Sequence, residues 1–215
     1  MSVRADAVPL QGSLFDQDEV PGLRPLASAL GRQHLSDGAW VDVRPGWITG
    51  AEALCEELLA AVPWRAERRR MYDRVVDTPR LLRFYSEAEA LPHRLLEEAR
   101  DALTEHYAAE PGAQRFTTAG LCLYRDERDS VAWHGDRIGR GATHDTMVAI
   151  CSTGAPRRML LRPRGGGATR TLVVGHGDLV VMGGSCQRTW EHSVPKETHP
   201  TGPRISIQFR PHGVR

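Results

Sequence analysis

The sequence predicts a mostly β protein of the α+β class, with two helices preceding a sandwich, jelly roll or barrel. Three observations lead there. Two segments in the first half carry apolar residues at helical spacing. After Pro111-Gly112 about eight short β-type runs follow, broken by Gly, Pro and Asp. A length of 215 residues suits one domain with a core of its own, and no internal repeat divides it.

The elements follow in order. Residues 1–25 mix Pro, Gly and acidic side chains without periodicity and read as an arm. Trp40 to Ile48 reads as strand, turn and strand. Residues 50–61 read as a helix with Ala53, Leu54, Leu58 and Ala61 on one face and acids opposite, ended by Pro63. A second helix is expected from Pro92 to Tyr107. Its stripe is Leu95, Leu96, Ala99, Leu103 and Tyr107, and Pro92 suits a first-turn position. The β-type runs are Phe116–Tyr124, Ser130–His134, Met147–Ser152, Arg158–Arg162, Arg170–Val174, Leu179–Met182, Arg188–Val194 and Arg204–Arg210.

Composition narrows the class. With 40% hydrophobic and 26% charged residues the chain is ordinarily globular, not disordered or coiled coil. No apolar run reaches the roughly 18 residues of a membrane span, and no apolar stretch backs the N-terminal charge as in a signal peptide. Cys55, Cys122, Cys151 and Cys186 form no C-x-x-C pair. They read as reduced thiols of a cytoplasmic protein rather than a zinc site. Nothing demands a protein partner, so a monomer is expected. The net charge of +1 hides local excesses. Residues 1–60 carry −5 and 86–110 carry −5, against +4 at 64–83 and +6 at 137–170. The local field therefore matters more than the total for any anionic partner.

His-x-Asp occurs twice. His134 ends the run Ser130-Val-Ala-Trp-His134, and residues two apart on a strand share a face, so His134 and Asp136 aim at one point. His192 follows 58 residues later in another strand-like run. Two imidazoles and one carboxylate on one face of an octahedral ion suit Fe(II), leaving positions for a chelating co-substrate and dioxygen. His176-Gly-Asp178, flanked by glycines, reads instead as a turn in which Asp178 accepts from the backbone. His34, His93, His106, His144, His199 and His212 lack partners at ligand spacing and read as surface or structural.

Arg204-Ile-Ser-Ile-Gln-Phe-Arg210 alternates, placing Arg204, Ser206, Gln208 and Arg210 on one face and Ile205, Ile207 and Phe209 on the other. Guanidinium groups facing a β-interior need anionic partners. Their planar forks match carboxylates, and the pair suits 2-oxoglutarate, which has one at each end.

These residues carry a resemblance. Leu123 to Asp136, with Gly177-Asp-Leu-Val-Val-Met-Gly-Gly184, Gln187-x-x-Trp190-x-His192-x-Val-Pro195 and Gly202-Pro-Arg-Ile-x-x-x-Phe-Arg-Pro211, is similar to the AlkB family of Fe(II)/2-oxoglutarate dioxygenases. That family oxidatively dealkylates nucleobases. The likeness is close over 116–211, looser over 60–115 and not evident before about residue 40. It implies a double-stranded β-helix of jelly-roll type over 116–211. Before it come helices and a substrate-recognition flap at 40–115 and an extension at 1–39. It makes His134, Asp136 and His192 the catalytic iron ligands. Tyr124, Arg204, Ser206 and Arg210 fall at co-substrate positions. Cys122 and Ser206 stand where Asn is common in the family, and Gln208 where Thr is.

On the substrate side, Trp64, Arg69 and Tyr72 fall in the flap, where an aromatic stacks on a flipped base and an arginine meets phosphate. Packing of a hairpin onto the sheet explains Trp64 and Tyr72 equally well. Arg137 and Ile138 follow the metal Asp136, and Ile138 stands where some members carry a base-contacting acid. The resemblance implies oxidative dealkylation of alkylated DNA or RNA with Fe(II), 2-oxoglutarate and O2, giving aldehyde, succinate and CO2. A small-molecule or protein hydroxylase, and a non-catalytic nucleic-acid-binding module, remain the alternatives.

Overall fold

The computed structural model describes residues 20–71 and 74–214, and between 68 and 77 its description is of the backbone. The first half holds β1 (Gly22–Leu23), β2 (Gly31–His34), β3 (Ala39–Arg44), β4 (Ile48–Thr49) and α1 (Ala51–Ala61). It continues with β5 (Arg65–Met71), β6 (Arg74–Tyr85) and α2 (Arg94–His106). The second half supplies β7 (Phe116–Tyr124), β8 (Val131–His134), β9 (Val148–Gly154), β10 (Arg157–Pro163), β11 (Arg170–Val174) and β12 (Leu179–Gly184). The short α3 (Cys186–Thr189), β13 (Trp190–Val194) and β14 (Arg204–Pro211) complete it. All eight β-type runs of the second half are strands.

Apart from the short β1–β4 pair, the described strands form two antiparallel sheets with the jelly-roll crossover pattern. The larger runs β2-β3-β12-β9-β14-β7-β6-β5 and the smaller β11-β10-β13-β8. Alternation divides the larger sheet's residues between two cores. Ile205, Ile207, Phe209, Leu121, Leu179 and Val181 pack outward with Leu54, Leu58, Leu96 and Leu103 of the helices. Val41, Val148, Ile150, Val180 and Met182 pack inward with Met159, Leu161, Val174 and Trp190 of the smaller sheet. A third cluster of Cys122, Tyr124 and Val194 closes the other end of the interior, backed by Leu82 and Val131. The gap between these inner clusters is where the site lies.

Helix details differ from the periodicity. In α1 the buried residues are Ala51, Leu54, Cys55 and Leu58, so Ala53 and Ala61 sit outside the contact face. In α2, Pro92 precedes the helix and His93 caps it, its Nδ1 accepting from the Leu95 N–H at 3.0 Å. An imidazole with a free lone pair thereby replaces the first-turn role expected of Pro92. The segment 40–48 does give strand, turn and strand, but β3 and β4 do not pair. β3 lies between β2 and β12, and β4 pairs with β1.

His176-Gly-Asp178 is a turn. Asp178 accepts from Gly46 N at 2.8 Å and Gly175 N at 3.1 Å. Gly177 adopts φ +79°, where a Cβ would stand 2.4 Å from the Ile48 carbonyl oxygen. The four cysteines are buried free thiols. Among the described residues no helix is long and apolar enough to cross a membrane.

The fully buried Asp42 ties the β2–β3 edge to α2. It accepts two bonds from Arg32, each 2.8 Å, and one from the Tyr107 hydroxyl at 2.9 Å. Arg32 also reaches Glu110 at 2.7 Å and lies over the Trp40 ring. Removing Arg32 leaves a buried carboxylate with one neutral partner. Arg32→Ala is expected to lower the unfolding free energy by about 3 kcal/mol, read as a lower urea midpoint at unchanged slope.

Candidate active site

β8 and β13 are neighbours in the smaller sheet, and their register sets His134 directly opposite His192. Their rings lie 4.2 Å apart between centroids, tilted by 49°. Cross-strand partners are the closest neighbours a sheet offers, so two distant histidines become one donor pair. β8 ends at His134, and Asp136 lies in the loop just beyond. One ligand atom from each of His134, Asp136 and His192 falls within 4.8 Å of the others, the one such His/Cys/Asp/Glu group among the described residues.

Each donor is oriented by a neighbour. His134 Nδ1 is 2.9 Å from the Ala132 carbonyl, so a proton there leaves Nε2 as the free lone pair. Asp136 Oδ2 accepts from Arg210 Nε at 2.8 Å, which turns Oδ1 toward His134 Nε2, 4.0 Å away. The Asp136 N–H donates to Gln187 Oε1 at 2.9 Å, fastening the loop to α3. Gly135 makes this approach possible, since a Cβ there would stand 2.6 Å from the Gln187 carbonyl oxygen. Burial pushes the Asp136 carboxyl up, but Arg210, His192 and His134 outweigh it and hold it at about 2. Burial, helped by His134, pushes His192 down to about 3. The site therefore presents an ionised carboxylate and a neutral imidazole, as metal ligation requires.

The donors open onto a small cavity between the sheets. Its floor is the polar face of β14, with Arg204, Ser206, Gln208 and Arg210 all lining it. Arg204 is 1% exposed, and its Nη2 donates to Ser152 Oγ at 2.7 Å. Its Nε and Nη1 are buried without a partner. Burial lowers the Arg204 pKa, and the partnerless donors call for an anion. The Tyr124 ring lies 5.3 Å from the Arg204 guanidinium and 5.4 Å from that of Arg157. Burial lifts its phenol to about 12, so it stays a proton donor. These features fit the implied groups. Two imidazoles and a carboxylate suit Fe(II), and a buried guanidinium with two unused N–H groups suits a carboxylate such as that of 2-oxoglutarate.

Arg210 stands at the end of the cavity nearest the metal loop. It lines the cavity with Arg204, as expected of a co-substrate position, while its Nε bonds Asp136 Oδ2. It stands six positions along β14 from Arg204, about 20 Å of backbone. Of the remaining residues, Gln208 Nε2 donates to the Ser206 hydroxyl at 2.5 Å, and Cys122 Sγ donates to Gln208 Oε1 at 3.5 Å. The three positions that depart from the family pattern thus bond one another. Trp64 packs half-buried against the helix-side core and is not among the cavity residues. Tyr72 lies outside the described residues, as does the Arg69 side chain; the Arg69 backbone pairs with Val76 between β5 and β6. Arg137 and Ile138 are exposed on the loop past Asp136.

Sequence reasoning missed Arg80, which lines the cavity and donates to the Ser130 carbonyl at 3.2 Å. Its signal was the alternation Arg80, Leu82 on the inner face of β6. It also missed Ser152, which no local pattern marks, and gave Gln187 a place in a motif but no role.

Comparison with known proteins agrees with this geometry. The 2OG-Fe(II) oxygenase superfamily pattern matches residues 45–210. The chain is 31% identical over 186 residues to the alpha-ketoglutarate-dependent dioxygenase alkB homolog 3 of Bos taurus, and 30% identical over 186 residues to that of Homo sapiens. Each alignment covers 77% of this chain and 64% of the relative, so the chain spans under two thirds of their length. It is 31% identical over 137 residues to the DNA oxidative demethylase ALKBH2 of Arabidopsis thaliana, covering 54% of this chain and 42% of that protein. The solved structure of OsALKBH1 superposes with TM-score 0.54 at 12% identity, over 85% of this chain and all of that one, and shares the fold. With its His-Asp-His donors set in a jelly roll, the chain belongs to the 2OG-Fe(II) oxygenase superfamily and, within it, to the AlkB homologues.

Proposed function

We propose that this protein oxidatively dealkylates N-alkylated nucleobases in DNA or RNA, releasing the alkyl carbon as an aldehyde with succinate and CO2. One observation carries the oxygenase half of this reading. A three-donor metal set and a buried guanidinium with two unused N–H groups face the same cavity. The nucleobase half rests on relatives that include a DNA oxidative demethylase, and on the basic segments at 64–83 and 137–170.

Fe(II), when bound with 2-oxoglutarate and dioxygen, supplies the oxidising chemistry. The chain supplies position and protection. His134 Nε2, Asp136 Oδ1 and His192 are the donors. Arg210 holds Oδ2 of Asp136 aside, so the carboxylate offers one oxygen in a fixed direction. Arg204 would hold the distal carboxylate of the co-substrate through its unpartnered Nε and Nη1, with the Tyr124 ring 5.3 Å from its guanidinium. Val131, Ile150, Met159 and Val194 complete the wall and keep water from the reacting centre. A base whose pairing edge is alkylated pairs weakly, which lowers the cost of extruding it toward the site.

His134→Ala and Asp136→Ala are each expected to abolish methyl loss from a methylated oligonucleotide, at a melting temperature near that of the parent. Mass spectrometry of the product reads the first and differential scanning the second. Undiminished turnover would overturn the ligand assignment. Succinate formation without methyl loss, on a panel of single- and double-stranded lesions, would point to another substrate. Arg204→Lys is expected to raise KM for 2-oxoglutarate by about tenfold to a hundredfold, the loss of one charged hydrogen bond. Titration of succinate release against co-substrate checks this, and an unchanged KM would remove Arg204 from that role.

A further inference from the structure

Beside the metal loop the surface carries a groove that the proposed chemistry leaves unused. Phe84, Thr118, Ile138 and the 212–214 segment line it. Two of the large apolar side chains that stay exposed among the described residues meet there, Phe84 at 39% and Ile138 at 71%. Register explains how Phe84 reaches it. On β6, Arg80, Leu82 and Phe84 alternate onto one face. Arg80 lines the metal cavity, and Leu82 packs on the Cys122–Tyr124–Val194 cluster. Phe84 is the next step outward, opposite Gly120. Gly120 has no side chain, and a Cβ there would stand 3.0 Å from Arg210 Nη1. Arg210 Nη1 and Gln208 Oε1 fill the space over Gly120, so the arginine that holds Asp136 lies beside Phe84 in the register. Ile138 borders the same mouth, two residues beyond that ligand.

The groove continues into a second one that shares Gly139, His212 and Gly213 with it. Arg115, Arg140, His144 and His212 line this part, and among the described residues no acidic one does. Arg140 Nε is buried without a hydrogen-bond partner. The wall is rigidly built. Arg140 N donates to the Gly213 carbonyl at 2.9 Å, and Gly139 bridges Val214. At Gly139, with φ +72°, a Cβ would stand 2.2 Å from the Gly213 oxygen, so the two segments touch by backbone. Glu87, on the far rim, lies 3.7 Å from His212 Nδ1.

An apolar mouth leading into a cationic trough suits a strand that alternates flat rings with phosphates. We propose that this groove is the path of the substrate strand. A base adjacent to the alkylated one stacks between Phe84 and Ile138, and the following phosphates lie on Arg115 and Arg140. The inference rests on the nucleic-acid reading above, and its test separates the two.

The probe is a fluorescent single-stranded oligonucleotide with one N-methylated base at its centre, and the readouts are anisotropy and methyl loss. Phe84→Ala is expected to weaken binding about tenfold without changing its salt dependence, whereas Phe84→Tyr retains it. Arg115→Gln with Arg140→Gln is expected to reduce the slope of log K against log salt by about 1.4, the share of two phosphates on a single strand. Arg94→Gln, on exposed α2, leaves both unchanged. With abasic positions on both sides of the lesion, the parent is expected to bind as weakly as Phe84→Ala binds the intact strand. If Phe84→Ala then loses a further tenfold, Phe84 stacks on the alkylated base itself and the assignment to its neighbour is wrong. If the parent binds and demethylates the strand but the groove variants match it, the path lies elsewhere. If the parent neither binds nor demethylates any strand, the nucleic-acid reading itself falls.

Discussion

Everything at the site depends on the register of β14. This strand lies between β9 and β7, with one face on the helix-side core and the other on the cavity. Ile205, Ile207 and Phe209 are all fully buried. At about 1.5–3 kcal/mol for each such side chain, burial strongly opposes any shift. A slip of one residue would drive two guanidinium groups into an apolar core and three large apolar side chains into a polar cavity. The hydrophobic face thus holds the arginines in place, although it touches nothing that reacts.

The second organising influence is electrostatic. Arg157 and Arg204 are almost wholly enclosed, and Arg210 nearly so. Each has a different task. Arg157 donates to the carbonyls of Asp126, Asp129 and Pro195, pinning the β7–β8 connection to the segment after β13. Arg210 neutralises Asp136. Arg204 keeps donors in reserve. A lysine serves none of these well, because a single ammonium cannot span several fixed acceptors at once. The chain's 27 Arg against one Lys therefore has a structural use at three buried positions, whatever set the overall bias.

Much of this was legible from residues alone, and the failures share one cause. Period-two runs gave all eight strands of the jelly roll, and the face assignment on β14 needed no more than counting. His134, Asp136 and His192 stood out because their residue types are scarce and their spacing suits strands. Missed features depend on which strand lies beside which. Ser152 matters because β9 neighbours β14, and the role of Gln187, as distinct from its place in a motif, shows only once α3 abuts the metal loop. Edge strands were equally hard to read. β2, Gly31-Arg-Gln-His34, is exposed throughout and has no apolar alternation to betray it. Trp64 shows the opposite risk, since an aromatic in a basic segment suggests stacking, yet here it packs against the helix-side core.

The cross-strand pairing of His134 with His192 also bears on how the protein is made. The two histidines are 58 residues apart in the chain, and β9 through β12 are threaded between them. Closing a loop of that length carries an entropic cost that only completed strand pairing repays. No partly folded chain holds the three donors together before β8 has found β13. A complete three-donor iron site therefore requires β8 and β13 to be paired first. A redox-active ion held earlier, on one exposed histidine, would be bound weakly and released.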